Sequence, residues 1–212
     1  LELILKKQLK LEKKYHLYFM IKKTSLVDGI GGQARTKLYY DNWSCNYDIT
    51  LENWNYLIPL KSLKLFKKYV KAKPKIFLDL ACGTGLFGTE IKKNYKKSIV
   101  FGSDISNSSL KIAKKKNIYN NLKCVSFEKK INFNLKFDLI SLIGSMTYVK
   151  NFEKLFNNVL FNLKKNGFFI FSHRIDLWKK NNFDKVLLNY SQNLKLIHKS
   201  RPILYLPLNN DF

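Results

Sequence analysis

The 212-residue chain reads as an α/β protein, a Rossmann-like, doubly wound and mostly parallel sheet with helices on both faces. Three observations predict this. Short runs rich in Ile, Val, Phe and Leu alternate with stretches of helical periodicity. The first firm run, Ile76 to Leu80, ends in a glycine turn, ACGTGLFG. A second run closes on Asp104, 21 residues after Gly83. Alternation at this spacing calls for parallel strands joined by right-handed crossovers.

Taken in order, Leu1 to Lys23 has helical lysine–leucine character, and charge interrupts every apolar block, so it is not laid out as a secretory signal. The chain opens on Leu and reads as a fragment or as a translation begun too far upstream, with Met20 a candidate start. Val27 to Gln33, containing DGIGG, is a loop and not a phosphate cradle, because no strand precedes it. In LYYDNWSCNYD, Tyr40, Trp43 and Tyr47 fall at i, i+3 and i+7, one face of a helix. Tyr56 to Val70 is helical and stops before Pro74. Strands follow at Ile76 to Leu80, Ser98 to Ser103, Leu122 to Phe127, Phe137 to Ile143 and Gly167 to Ser172. The helices between them are Phe87 to Lys93, Ser108 to Lys116 and Phe152 to Leu163, the last closed by Asn166-Gly167. Asn182 to Asn193 is expected as a further helix and Leu194 to His198 as a sixth strand.

Composition sets limits. The length suits one α/β domain with a full core. No apolar run reaches membrane-spanning length. Cys45, Cys82 and Cys124 are odd in number and far apart, which supports neither a disulfide framework nor a zinc pattern and fits a reducing cytoplasm. His16, His173 and His198 are too scattered for a metal site. The net charge of +24 admits an RNA partner, held by counterion release. Nearly all of it is lysine spread as KK pairs, with arginine only at Arg35, Arg174 and Arg201, so it reads as mostly compositional.

The chemistry centres on the turn. Gly83, Gly85 and Gly88 satisfy G-x-G-x-x-G formally, a weak signal alone. Asp79, four residues before Gly83, would set a carboxylate beside a dinucleotide pyrophosphate, unfavourable by Coulomb sign. It suits a ligand with a cationic ammonium and a sulfonium, which is S-adenosylmethionine. Asp104, at the tip of the neighbouring strand, is placed to bind ribose hydroxyls. Ile105 then lies beside the adenine, and Ser106 is the N-cap of the next helix.

DLACGTG, followed by DIS and later FDLISLIGSMTYV, resembles the class I S-adenosylmethionine-dependent methyltransferase superfamily over Tyr39 to Ser172. The resemblance implies that Asp79, Ala81, Gly83 and Gly85 hold the methionine end and Asp104 and Ile105 the adenosine, with Gly144 near the reacting methyl group. The segment bearing Tyr40, Trp43 and Tyr47 resembles the Y-D-x-W-x-x-x-Y-D stretch that folds as a lid over the cofactor in small-molecule methyltransferases; aromatic faces attract cations. An amphipathic helix packing its aromatics on the core is the alternative. Ser109 departs from a Met often found against the adenine, and Glu128 is the nearest candidate for an acidic residue near the adenine amine. The implied organisation is an N-terminal extension over 1–35 and a methyltransferase domain over 36–212. Within that domain, 36–75 forms the lid and N-terminal helices and 76–212 the core. The superfamily's last antiparallel strand has no counterpart before Phe212, so a C-terminal truncation is expected.

The expected reaction is in-line methyl transfer to a small-molecule acceptor, in which alignment supplies much of the rate. No catalytic residue is assigned: His173 and Arg174 follow the fifth strand, and a structural or surface role is the stronger reading for His173. An RNA methyltransferase or RNA-binding protein is one alternative, and an NAD-dependent oxidoreductase another. The oligomeric state and the acceptor are open.

Overall fold

The structure is a computed structural model that describes residues 26–209; the reading of Leu1 to Lys23 lies outside them. Its strands are β1 (Ile76–Leu80), β2 (Ile99–Asp104), β3 (Asn121–Cys124), β4 (Phe137–Leu142) and β5 (Leu163–Phe171). They form one parallel sheet in the order β3-β2-β1-β4-β5. The strand order reverses between β1 and β4, and in sheets of this kind the ligand crevice opens outside the strand C-termini at that point. The expected fold class is what forms.

Seven α-helices are described: α1 (Gln33–Asn53), α2 (Ile58–Tyr69), α3 (Leu86–Asn94), α4 (Asn107–Lys115), α5 (Phe152–Asn162), α6 (Ile175–Lys180) and α7 (Phe183–Leu188), besides short 3-10 turns at Leu26–Gly29 and Met146–Tyr148. Four of the starts have a local cause. Pro59 occupies the first turn of α2, where its missing N–H costs nothing. Gly85, at φ +96, turns the chain from β1 into α3. Ser106 and Asn151 cap α4 and α5, accepting the N–H of Ser109 at 3.0 Å and of Lys154 at 2.9 Å. The last turns of α2, α3 and α4 carry Lys67, Lys68, Lys92, Lys93, Lys114 and Lys115, which complement the helix dipoles at the end of the sheet away from the glycine turn.

Strand alternation divides the core. Leu78, Leu80, Ile140 and Leu142 face one side and pack on Leu155, Phe156 and Val159 of α5. Phe77, Val100 and Leu139 face the other and meet Leu63 and Phe66 of α2 and Phe87 and Ile91 of α3. A buried side chain of this size contributes about 1.5–3 kcal/mol, so helices on both faces are what keeps the sheet dry.

Three expectations need correction. Helix α5 ends at Asn162, and Asn166-Gly167 lies inside β5: Phe137 pairs with Leu163 but Leu139 with Phe168, a bulge in which Asn166 takes φ +62. The expected helix Asn182 to Asn193 shortens to α7, which Asn182 enters at φ +46 and which ends at Leu188, and the short α6 ahead of it was not expected. Leu194 to His198 forms no strand, so β5 is the edge of the sheet among the described residues. His198 stacks on Tyr69, with ring centroids 3.9 Å apart, in place of joining the ladder. The tail then returns to the N-terminal region, where Leu206 is buried with Trp43, Leu51 and Trp54. Helix α1 begins three residues ahead of the domain boundary expected after residue 35.

Candidate functional site

The glycine turn sits at the C-terminal end of β1, and its backbone is left-handed at Ala81 (φ +50), Gly83 (φ +54) and Gly85 (φ +96). Two backbone bonds fix it, Cys82 N–H to Ser103 O at 2.9 Å and Gly85 N–H to Cys82 O at 2.8 Å. A Cβ at Gly83 would meet no atom within 4 Å, so this face of the turn is open and a ligand can lie against it. Asp104 closes the far side: one carboxylate oxygen accepts the Gly83 N–H and the other the Ser106 N–H, both at 2.8 Å. Burial pushes the Asp104 carboxyl up to about 6 even against those bonds. Ile105, half-buried, follows at the strand tip.

Asp79 shares the face of β1 that carries Phe77, towards α2 and α3. It is 2% exposed. Its two oxygens accept the hydroxyls of Ser141, directly opposite on β4, at 2.5 Å and of Tyr119 at 2.8 Å. Burial raises this carboxyl too, to about 6. The group expected at the methionine ammonium thus has both oxygens bonded within the protein. Glu128 is likewise occupied, holding Gln33 at 3.2 Å and the backbone N–H of Asn151 at 2.8 Å.

Tyr40, Trp43 and Tyr47 do share one face of α1, with ring centroids 4.8–6.0 Å apart. The helix packs along α4 and is tied to both loops of the turn region. Asp41 accepts the Ser106 hydroxyl at 2.7 Å and the Ser108 N–H at 3.1 Å. Asp48 accepts the Thr84 hydroxyl at 2.5 Å and pairs with Lys116 at 2.6 Å. Burial works to raise Asp41, but the bonds from Lys37, Ser106 and Ser108 outweigh it and bring the carboxyl down to about 2.

Beyond these rings stand three phenols that periodicity did not single out. Tyr148 bonds Tyr40 through their hydroxyls at 2.7 Å, and the rings of Tyr56 and Tyr205 meet edge to face, 5.2 Å apart. Gly144, at φ +80, faces them: a Cβ there would stand 2.6 Å from the Tyr56 hydroxyl. Burial, then the phenols of Tyr205 and Tyr148 and the carboxylates of Asp104 and Asp48, push Tyr47 well above its ordinary value. These phenols stay protonated and neutral at physiological pH.

A cavity of about 1390 Å³ runs along the β5 edge of the sheet from Leu163 to Phe171, between that strand and the C-terminal tail, and reaches this cluster at Gly144, Tyr148, Ser172 and Tyr205, with His173 and Arg174 in its lining. It does not extend to Gly83 or Asp104. His173 packs edge-on against Phe183, and neither ring nitrogen has a hydrogen-bond partner. Burial lowers it to about 4, so the imidazole is neutral and a weak base. Arg174 makes two bonds to Asp176, at 3.1 and 2.7 Å. Among the described residues no cluster of His, Cys, Asp and Glu could hold a metal, and no helix is long and apolar enough to cross a membrane.

Comparison with known proteins agrees with this geometry. Residues 71–199 match a family model described as a methyltransferase domain. A release factor glutamine methyltransferase of Flavobacterium psychrophilum is 31% identical over 51% of this chain. A malonyl-[acyl-carrier protein] O-methyltransferase of Calditerrivibrio nitroreducens is 29% identical over 52% of it. Each match spans 42% of the relative's own length. Among solved structures, the plantazolicin methyltransferase BpumL in complex with SAH superposes with a TM-score of 0.52, at 21% identity over 73% of this chain and 58% of that one. DesVI of Streptomyces venezuelae gives 0.50, at 18% identity over 58% of this chain and 54% of that one. At these identities the likeness speaks for the fold alone.

Proposed function

The chain belongs to the methyltransferase-domain family, and from that premise we propose that it transfers a methyl group from S-adenosylmethionine to a small-molecule acceptor. The observation that carries this is the open face of Gly83, joined through its own N–H to the Asp104 carboxylate. An unobstructed backbone turn beside a carboxylate suits a ribose-bearing ligand whose methionine end needs close backbone approach. When bound, the cofactor supplies a methyl group made electrophilic by its sulfonium.

The chain's own residues bind, orient and exclude water. Ala81, Gly83 and Gly85 present backbone to the methionine end, with Asp79 supporting the turn from the α3 side. Asp104 and Ile105 take the adenosine. Tyr40, Trp43 and Tyr47 wall the site with neutral aromatic faces, which attract a cationic sulfonium. Gly144 leaves room at the end of β4, where the cavity beside Tyr148 and Tyr205 admits the acceptor. Alignment inside such an enclosure supplies rate without a dedicated base, and none is assigned. The widely spaced, unpaired cysteines Cys45, Cys82 and Cys124 fit a cytoplasmic setting.

Calorimetric titration of S-adenosylhomocysteine and NADH, with Asp104→Ala as control, tests this reading. The expected result is selective binding of S-adenosylhomocysteine that the substitution abolishes. Preferential binding of NADH would overturn it.

A further inference from the structure

Gly88 has no part in the open face of the turn, yet it completes the glycine spacing. Its surroundings explain it. A Cβ at Gly88 would stand 2.3 Å from the Tyr119 hydroxyl and 2.6 Å from its Cζ. A Cβ at Gly85 would stand 2.9 Å from Cε2 of the same ring, and one at Gly102 2.9 Å from its Cε1. Three glycines, from the turn, from α3 and from β2, therefore make the bed of a single tyrosine ring. The bed also orients the ring, because the phenol at its end donates to Asp79 at 2.8 Å. Asp79 in turn takes the Ser141 hydroxyl across the β1–β4 pair.

From this we propose that Tyr119 is a positioning residue for the cofactor turn, acting through Asp79, and that Gly85, Gly88 and Gly102 are small in order to seat it. The inference rests on the methyltransferase reading of the site. A ring wedged between the turn, α3 and β2 sets the height of the turn over the sheet, so the open face at Gly83 keeps its shape when empty. The titratable groups facing Asp79 are few: the Tyr119 phenol and the Cys82 thiol, both held neutral by burial, and the Asp104 carboxyl. Burial raises Asp79, and the Ser141 and Tyr119 bonds oppose that rise. Removing the phenol donor therefore raises Asp79 further.

Two readouts separate this from a merely structural tyrosine. The first is the pH profile of S-adenosylhomocysteine affinity in wild type and Tyr119→Phe. The acid limb should move to higher pH by about half a unit or more, because a buried carboxylate has lost a donor. The second is a double-mutant cycle. Gly88→Ala should weaken binding about tenfold or more in the wild type and less than about twofold in Tyr119→Leu, since the clash needs the ring. An unmoved acid limb together with additive effects of Gly88→Ala and Tyr119→Leu would overturn the proposal. If Gly88→Ala does not fold alone, Tyr119→Leu should restore folded protein, and failure to restore it counts against the seat. If the wild type binds no S-adenosylhomocysteine, the methyltransferase reading fails by itself. The coupling is then read without ligand, from the pH dependence of the thermal midpoint in wild type and Tyr119→Phe; identical dependence sinks it.

Discussion

Ala81 is the residue at which this turn departs from ease. Its φ of +50 is left-handed, which costs an L residue with a Cβ about 1–2 kcal/mol. Replacing Ala81 by Gly relieves that strain, less the greater freedom glycine has when unfolded, so Ala81→Gly should raise stability by up to about 1 kcal/mol in urea melts. A loss would show that the methyl group packs usefully. Asp79 and Asp104 carry a second strain, electrostatic in kind. Both carboxyls hold their protons more tightly folded than unfolded, with values raised to about 6. Their contribution therefore favours folding most below the ordinary carboxylate value near 4 and is lost as pH rises through about 6. The ligand-free protein should lose stability from this source between about pH 4 and 6.5, and Asp104→Ala should flatten the slope. A slope unchanged by the substitution would remove Asp104 as its source. Asp79 and Asp104 were legible in the sequence by position, one ahead of the glycines and one a strand later. Tyr119 was not: it sits in a loop 40 residues from its partner, with no periodicity to mark it.

Helix α1 is held over the strand ends by two aspartates seven positions apart, one bonded to the loop after β2 and one to the glycine turn after β1. Asp48→Ala removes the Thr84 and Lys116 partners together. It should speed hydrogen exchange across residues 33–53 and weaken S-adenosylhomocysteine binding by a factor of about 2–10, the range for a partly exposed tie of this kind. Unaltered exchange would mean that the Asp41 tie and the packing of Trp43 and Leu51 hold the helix without Asp48. The elements that read clearly from the sequence were those with a physical stop: β1 at the glycine turn, α2 ahead of Pro74, α4 at its Ser106 cap. The elements that misread share a different cause. Among the described residues, every non-glycine at positive φ other than Ala81 is an asparagine, and the chain has many. Asn tolerates the left-handed region, but only the fold decides which Asn uses it. Asn182 does, which turns the chain between α6 and α7, and Asn166 does, which makes a bulge in β5 out of an expected helix stop. The sixth strand failed for want of pairing, since alternation alone cannot bring Leu194 to His198 to the β5 edge.

At the scale of the molecule, the net charge of +24 is distributed unevenly about the site. The last-turn lysines of α2, α3 and α4 lie at the far end of the sheet, while Asp41, Asp48, Asp79 and Asp104 surround the turn. Beyond a Debye length of about 8 Å those lysines are screened from the site. Affinity for S-adenosylhomocysteine should therefore change less than about threefold between about 50 and 500 mM salt, measured by titration. A steep decline would bring the basic surface into the binding of S-adenosylhomocysteine itself. The aromatic cluster at α1 joins distant stretches of chain, for Trp43 and Trp54 pack against Leu206, and the Leu208 N–H bonds the Trp54 carbonyl at 3.3 Å. Contacts of such long sequence separation come late, because the loop between them must close first. During synthesis the sheet and its glycine turn can be in place while this cluster is still incomplete. A nascent chain can thus complete the packing around Trp43 and Trp54 only after Leu206 has left the ribosome.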